Sequence, residues 1–227
     1  MDLKSEDRTM SPLRIVLFFL ALGFLAAFVQ VGLVSIAFER LGLSQHSAYL
    51  LLITTLAGSL VNLPLFSIAA ESPPLEQASA PMRERWGFPR AEFTGRTIIA
   101  VNVGGCVTPV AFSLYLIAHN PVTLPQILLA VVIVSAVAYL TSYPVPRVGI
   151  GIPILVAPLA AALAAALINP EERAVIAYIG GTLGVLIGAD ILRLKSIRKL
   201  GAPLASIGGA GTFDGIFLSG LVAVLLA

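Results

Sequence analysis

Charged side chains are scarce in this chain. Lys, Arg, Asp and Glu make up 11% of its residues, whereas 58% are hydrophobic and the mean hydropathy is +0.97. In an ordinary soluble domain, the share of charged residues is roughly twice as high. The composition therefore excludes a protein of that class. The net charge is only +2, which gives no reason to expect a nucleic-acid partner. We therefore predict a membrane protein that has lipids as its partners.

Cysteine and the common catalytic motifs are also missing. Cys106 is the single cysteine, so no intrachain disulfide can form. The sequence has no Walker motif, no dinucleotide-binding fingerprint and no Ser-His pair. His46 and His119 share no ligand spacing, and we predict neither a metal site nor a cofactor.

Long apolar runs fill most of the chain. Segments of about 20 apolar residues are long enough to cross a bilayer as helices, and turn or charge signals separate them. The runs predict an all-α, polytopic membrane protein with about seven transmembrane helices. These are Leu13–Phe38, Ser47–Ala70, Thr97–Ala118, Leu124–Tyr143, Gly149–Ile168, Ala174–Leu192 and Leu200–Ala227.

The distribution of Lys and Arg predicts the orientation. With a cytosolic N-terminus, twelve of the fourteen basic residues lie inside and only Arg40 and Arg173 lie outside. Seven crossings then place the C-terminus outside the cell membrane. The polar stretch at 71–96 is expected to be a cytosolic loop at the interface, within a single transmembrane domain that covers 1–227.

The last apolar segment contains a carboxylate, Asp214, and an ionised Asp at bilayer depth is a functional-site hypothesis by default. In a continuous helix from Leu200, Asp214 would lie about 21 Å from the cytosolic end. Gly and Pro are dense between Gly201 and Gly211, which predicts a discontinuous segment instead. A helix that starts near Thr212, with Thr212 as its N-cap, would bring Asp214 into the cytosolic half.

Asp190 closes the sixth predicted span and would then lie beside Asp214. Two close carboxylates share a proton readily and can divide acid and base roles. We predict Asp190 and Asp214 as a catalytic pair. The alternatives are an interfacial salt bridge between Asp190 and Arg193, and a buried cap or ion pair for Asp214.

Other polar groups fall at the same predicted depth. Asn62, Asn102, Gly211 and Thr212 are candidates for binding a substrate or an ion. For the two asparagines, hydrogen bonding between helices is the preferred role. Glycines at every fourth position of the sixth span predict close helix packing there: Gly180, Gly184 and Gly188.

Two resemblances bear on these residues. The block Gly180–Asp190, followed by Gly201-Ala202-Pro203 and Ser206–Phe217, resembles an uncharacterised family of small prokaryotic integral membrane proteins. The run from Gly211 to Gly220 also resembles the Gly-x-Gly-Asp segment of presenilin and signal peptide peptidase, which are intramembrane aspartyl proteases. That resemblance implies that Asp190 and Asp214 are catalytic and that a transmembrane helix is the substrate. Phe213 and Ala189 depart from its pattern.

Three functions remain open at this point. The first is an intramembrane aspartyl protease-like hydrolase. The second is a carrier or channel for a cation or small solute, since transporters use helices broken by Gly and Pro near polar groups. The third is a non-catalytic subunit or assembly factor of a membrane complex. The chain could act as a homo-oligomer in each case.

Overall fold

The structure is a computed structural model that describes residues 32–70, 95–145, 149–198, 204–209 and 215–227. Three of the predicted site residues, Gly211, Thr212 and Asp214, lie outside the described residues. Most of the predicted cytosolic loop at 71–96 lies outside them as well. The end of that loop is different from the prediction, because Arg96 is the first residue of a strand.

Helices make up most of the described chain. They are α1 (32–40), α2 (Gln45–Gly58), α3 (Thr108–His119), α4 (Leu124–Thr141), α5 (Val156–Ile168), α6 (Arg173–Val185), α7 (Leu194–Ile197) and α8 (Gly215–Leu226). Two π-helical turns extend this set: Val103–Val107 leads into α3, and Leu186–Ile191 continues α6.

Strands interrupt several of the predicted helices. A three-stranded sheet contains β1 (Asn62–Ala69), β2 (Arg96–Asn102) and β5 (Leu204–Ile207), and a small hairpin pairs β3 (Tyr143–Val145) with β4 (Gly149–Gly151). In the larger sheet the central strand, β2, runs antiparallel to β1 and parallel to β5. A β-bulge between Pro64 and Phe66 shifts the β1–β2 register.

The all-α prediction is therefore wrong for the second, third, fifth and seventh predicted spans, each of which includes a strand. The physical reason is local composition. β2 contains Thr, Val and two Ile residues, which favour extended backbone. In β1, Pro64 is unsuited to a helix interior. An unbroken apolar run does not by itself distinguish a buried strand from a helix.

The helices connect two opposite ends of the molecule. We call one the sheet end, because the strands lie there, and the other the turn end, where α1 meets α2 and α5 meets α6. At the sheet end, Gly58 at the end of α2 packs on Gly104 in the first π-helical turn. At the turn end, Arg40 donates a hydrogen bond of 3.0 Å to the carbonyl of Val224 in the last turns of α8.

α6 forms the centre of the helix packing. Ile176, Ala177, Tyr178 and Ile179 on this helix are almost completely buried. The predicted glycine packing is confirmed: a Cβ added at Gly184 would lie 2.6 Å from Val134 Cβ on α4. A second face meets α8, where a Cβ at Gly181 would lie 3.0 Å from the carbonyl oxygen of Ser219. Glycine therefore lets two helices approach α6 closely.

Gly104 gives the closest approach at the sheet end. An added Cβ would meet the backbone oxygen of Thr55 and the backbone nitrogen of Ser59, neither of which can rotate away. We expect Gly104→Ala to destabilise the protein by about 1–3 kcal/mol, the usual cost of overpacking. For a chain of this size, that lowers the melting temperature in detergent by roughly 2–12 °C.

Gly180→Ala is the matched control for that substitution. Its Cβ would lie 3.3 Å from Ala130 Cβ, a contact that a helix shift of a few tenths of an ångström relieves. Alanine also favours a helix over glycine by about 1 kcal/mol, so we expect a change near zero. Equal melting temperatures for Gly104→Ala and the native protein would contradict the close packing of α2 on the π-helical turn.

Two helices in the described part of the chain are long and apolar enough to cross a membrane. They are Leu124–Thr141 and Arg173–Ile191, and the second of these is mostly buried inside the protein. The helices Val103–His119 and Val156–Ile168 are apolar but shorter. These helices of the described part of the chain support membrane association.

Candidate functional site at the sheet end

Two predicted site residues, Asn62 and Asn102, meet at the sheet end. They are opposite each other in the β1–β2 ladder, and Asn102 Nδ2 donates to Asn62 Oδ1 over 3.1 Å. The same nitrogen donates to the carbonyl of Ser59 over 2.7 Å. Asn102 is completely buried, so these hydrogen bonds replace the water that its amide would otherwise bind.

The amide oxygens of this pair are also occupied. Asn102 Oδ1 accepts from the backbone N–H of Gly105 over 2.7 Å, which caps the π-helical turn. Asn62 Oδ1 accepts a second bond from Ser206 Oγ on β5, over 2.6 Å. Both amides connect elements of the fold, as predicted, although the elements are strands rather than helices. Their role in binding a solute or ion stays a prediction.

The chain after β5 packs tightly against the same turn. Gly208 has a φ of +86°, and a Cβ there would lie 2.7 Å from Cys106 Cβ. Only glycine fits this left-handed conformation and this approach without strain. The last predicted crossing is interrupted at this point, as the sequence indicated, because a strand precedes α8.

Asp190 lies at the sheet end, in the π-helical turn that ends α6, and is partly buried. π-Helical turns inside α-helices occur frequently at functional sites, because they rotate side chains away from the regular helical face. Leu186 in the same turn packs against a small apolar cluster that includes Cys106 and Ile207. The turn therefore places Asp190 in the same region as the end of β5.

Arg193, the alternative salt-bridge partner for Asp190, contacts the end of α4. Its guanidinium donates to the carbonyls of Tyr139 (2.6 Å) and Ser142 (2.9 Å) and to Ser142 Oγ (3.2 Å). It also lies over the Tyr139 ring, 4.3 Å from the ring centroid. Arg193 thus joins the end of α6 to the end of α4, where α4 has free carbonyl groups.

α6 and α8 run antiparallel beside each other. The last turns of α8 bind Arg40 at the turn end, so its first residues point to the opposite end; α8 also contacts the π-helical turn at 103–107. The end of α6 lies against β5 at that same end. Asp190 and the first residue of α8, Gly215, therefore both belong to the sheet end. Asp214 precedes Gly215 in the sequence but lies outside the described residues. The pairing of Asp190 with Asp214 therefore stays a prediction.

Several residues of this site could not be predicted from the sequence. Ser206 joins Asn62 only because β5 adds to the sheet in parallel, and that strand is 144 residues away along the chain. The bonds from Arg193 to the end of α4 depend on helix packing. Among the described residues, no group of three His, Cys, Asp or Glu side chains could hold a metal ion.

Residues 56–226 match the family model described as Protein of unknown function (DUF1614). The chain belongs to the DUF1614 family. This confirms the predicted membership of an uncharacterised family, while the resemblance to presenilin stays a prediction. No curated protein and no solved structure matches the chain significantly. Since the DUF1614 description assigns no activity, a function has to be argued from the residues themselves.

Proposed function

We propose that this protein crosses the cell membrane several times and carries a pair of aspartates, Asp190 and Asp214, for hydrolysis near its cytosolic face. The first support is the outer surface of the helices. Large apolar side chains there are strongly exposed, such as Leu140 at 78% and Leu167 at 87%. Water disfavours such a surface, whereas lipid chains cover it at no cost.

The charges of the described residues support the orientation. The sheet end carries four basic residues and one acidic residue: Arg96, Arg193, Lys195, Arg198 and Asp190. The turn end carries Glu39, Arg40, Glu171, Glu172 and Arg173. Basic residues collect on the cytosolic side of membrane proteins, so the sheet end faces the cytosol. Open sheet edges also avoid the hydrocarbon core, which favours the same interfacial location.

The observation that carries the aspartate pair is the interruption before α8. Because the strand Leu204–Ile207 precedes this helix, the last predicted crossing is not one continuous helix. Gly181 contacts Gly220 on α8, with 3.2 Å from an added Cβ to the Cα. Asp190 lies nine residues beyond Gly181, about 13 Å along the axis, and Gly215 lies about 8 Å from Gly220 in the same direction. The axial offset between Asp190 and Gly215 is then about 6 Å, so the two residues lie at a similar depth.

Two carboxylates that meet at this depth suit hydrolysis of a peptide bond. In aspartyl proteases, one carboxylate takes a proton from the attacking water, and the other donates a proton to the carbonyl oxygen. A substrate that reaches this site inside the membrane would be a transmembrane helix.

A disulfide cross-link tests the distance directly. We expect Asp190→Cys/Asp214→Cys, in a Cys106→Ser background, to form a disulfide on oxidation in membranes, which requires Cα atoms within about 7 Å. Leu63→Cys/Val101→Cys is the positive control, because these residues are opposite each other in the β1–β2 ladder. Asp190→Cys/Leu226→Cys joins opposite ends and should stay reduced. A reduced Asp190–Asp214 pair beside an oxidised positive control would refute the proposal.

A further inference from the structure

A groove at the sheet end combines cationic and apolar walls. It lies between β1 and α7 and has a volume of about 320 Å³. Its lining consists of Phe66, Ile68, Ala69, Leu194, Lys195 and Arg198. The groove is separate from the Asn62–Asn102 pair, since none of its lining residues belongs to that cluster.

The backbone around the groove is held in place by its own contacts. Arg198 Nε donates to the carbonyl of Ala69 over 3.1 Å, which ties the chain after α7 to the last residue of β1. Ile197, beside Arg198, is buried in the apolar cluster under β2. The groove therefore exists before any ligand enters, as binding sites usually do.

We propose that this groove binds the headgroup of an anionic phospholipid from the cytosolic leaflet. Lys195 and Arg198 supply positive charge for a phosphate, and Phe66, Ile68 and Leu194 supply an apolar surface for the first part of the acyl chains. A basic pocket beside apolar helices on the cytoplasmic side is a typical lipid-headgroup site. This inference rests on the proposed membrane location, but not on the proposed catalysis.

The charge balance of the surroundings favours an anion. The described charged residues at the sheet end are the four basic residues named above and Asp190. Phe66 is half exposed, and its neighbours on β1 are largely exposed as well, so the apolar wall is open at the surface. A soluble anion has no apolar part that would contact this wall, whereas the acyl chains of a lipid would cover it.

The test measures lipid binding to the full-length protein in detergent by native mass spectrometry. The probes are phosphatidylglycerol and phosphatidylcholine, added at equal concentrations. We expect phosphatidylglycerol to bind preferentially, and Lys195→Gln to weaken its binding about fivefold. Arg96→Gln is the matched control, because Arg96 lies at the same end but bonds Ser67 instead of lining the groove. It should change the affinity less than twofold.

Apolar variants give a second, independent readout. Phe66→Ser should weaken phosphatidylglycerol binding, whereas Leu65→Ser should not, because Leu65 is exposed to a similar degree but does not line the groove. Equal losses for Lys195→Gln and Arg96→Gln would mean diffuse surface charge and would overturn the proposal. Competition by inorganic phosphate would also overturn it, in favour of a soluble anion. Extraction of the protein from membranes by alkaline carbonate would instead refute the membrane location itself.

Discussion

Asn102→Leu should lower the free energy of unfolding by about 3 kcal/mol. The substitution removes three hydrogen bonds, to Ser59, Asn62 and Gly105, each with a net contribution of about 1 kcal/mol. The carbonyl of Ser59 and the N–H of Gly105 would lose their partner in a buried region, which adds to the cost. The melting temperature in detergent should therefore fall by roughly 6–12 °C.

Asn120→Ala is the matched control for this experiment. Asn120 also donates its side-chain amide to a backbone carbonyl, that of Leu116, over 2.9 Å, but it ends a helix in a partly exposed position. We expect a loss of about 1 kcal/mol or less there. Asn102→Leu would separate the structural role of the asparagine pair from its predicted role in binding a solute or ion. A folded variant of native stability that had lost ion or solute flux would contradict the structural role and favour a carrier.

The sequence predicted the parts of the fold that depend on local composition. The scarcity of charged residues indicated the apolar helices. The spacing of Gly180, Gly184 and Gly188 predicted the close packing of α6, which the structure confirms. Gly208 has the positive φ expected of a break in the last crossing. These features are visible in a sequence because glycine acts at its own position, through a missing Cβ.

The strands could not be predicted in the same way. Asn62 and Asn102 are 40 residues apart, and only the register of β1 and β2 brings their amides together. The apolar strands have no alternating pattern, so they look like the helices beside them. Nothing in the sequence relates Asn102 to Ser206 either, although Asn62 Oδ1 accepts a hydrogen bond from each of them.

The fold also limits where chemistry can occur. The described charged residues lie at the two ends of the helices, and none of them lies in the helix interior between those ends. Asp190 is the one described carboxylate at the sheet end. A site there would have water and the cytosol on one side and the apolar helices on the other. This is the location that hydrolysis within a membrane requires, because the water has to enter from an aqueous face.

Asp190→Asn and Asp214→Asn should each slow the cleavage of a transmembrane-helix substrate by about a hundredfold or more. Removing a general acid or base typically costs 10²–10⁴-fold in rate, and in a shared pair neither residue can act alone. Asparagine keeps the shape of the side chain, so the variants should fold normally. The measurement is the release of a labelled fragment by the purified protein in proteoliposomes, with gel filtration to check folding.

Glu171→Gln provides the control, as the same change of carboxylate to amide at the turn end, where Glu171 is exposed. Its activity should equal that of the native protein. The double variant, Asp190→Asn/Asp214→Asn, gives the sharpest result, because residues that act as a unit are not additive. We expect it to be no slower than either single variant. A multiplied loss would indicate two independent structural effects, and native activity in either single variant would exclude the aspartate pair.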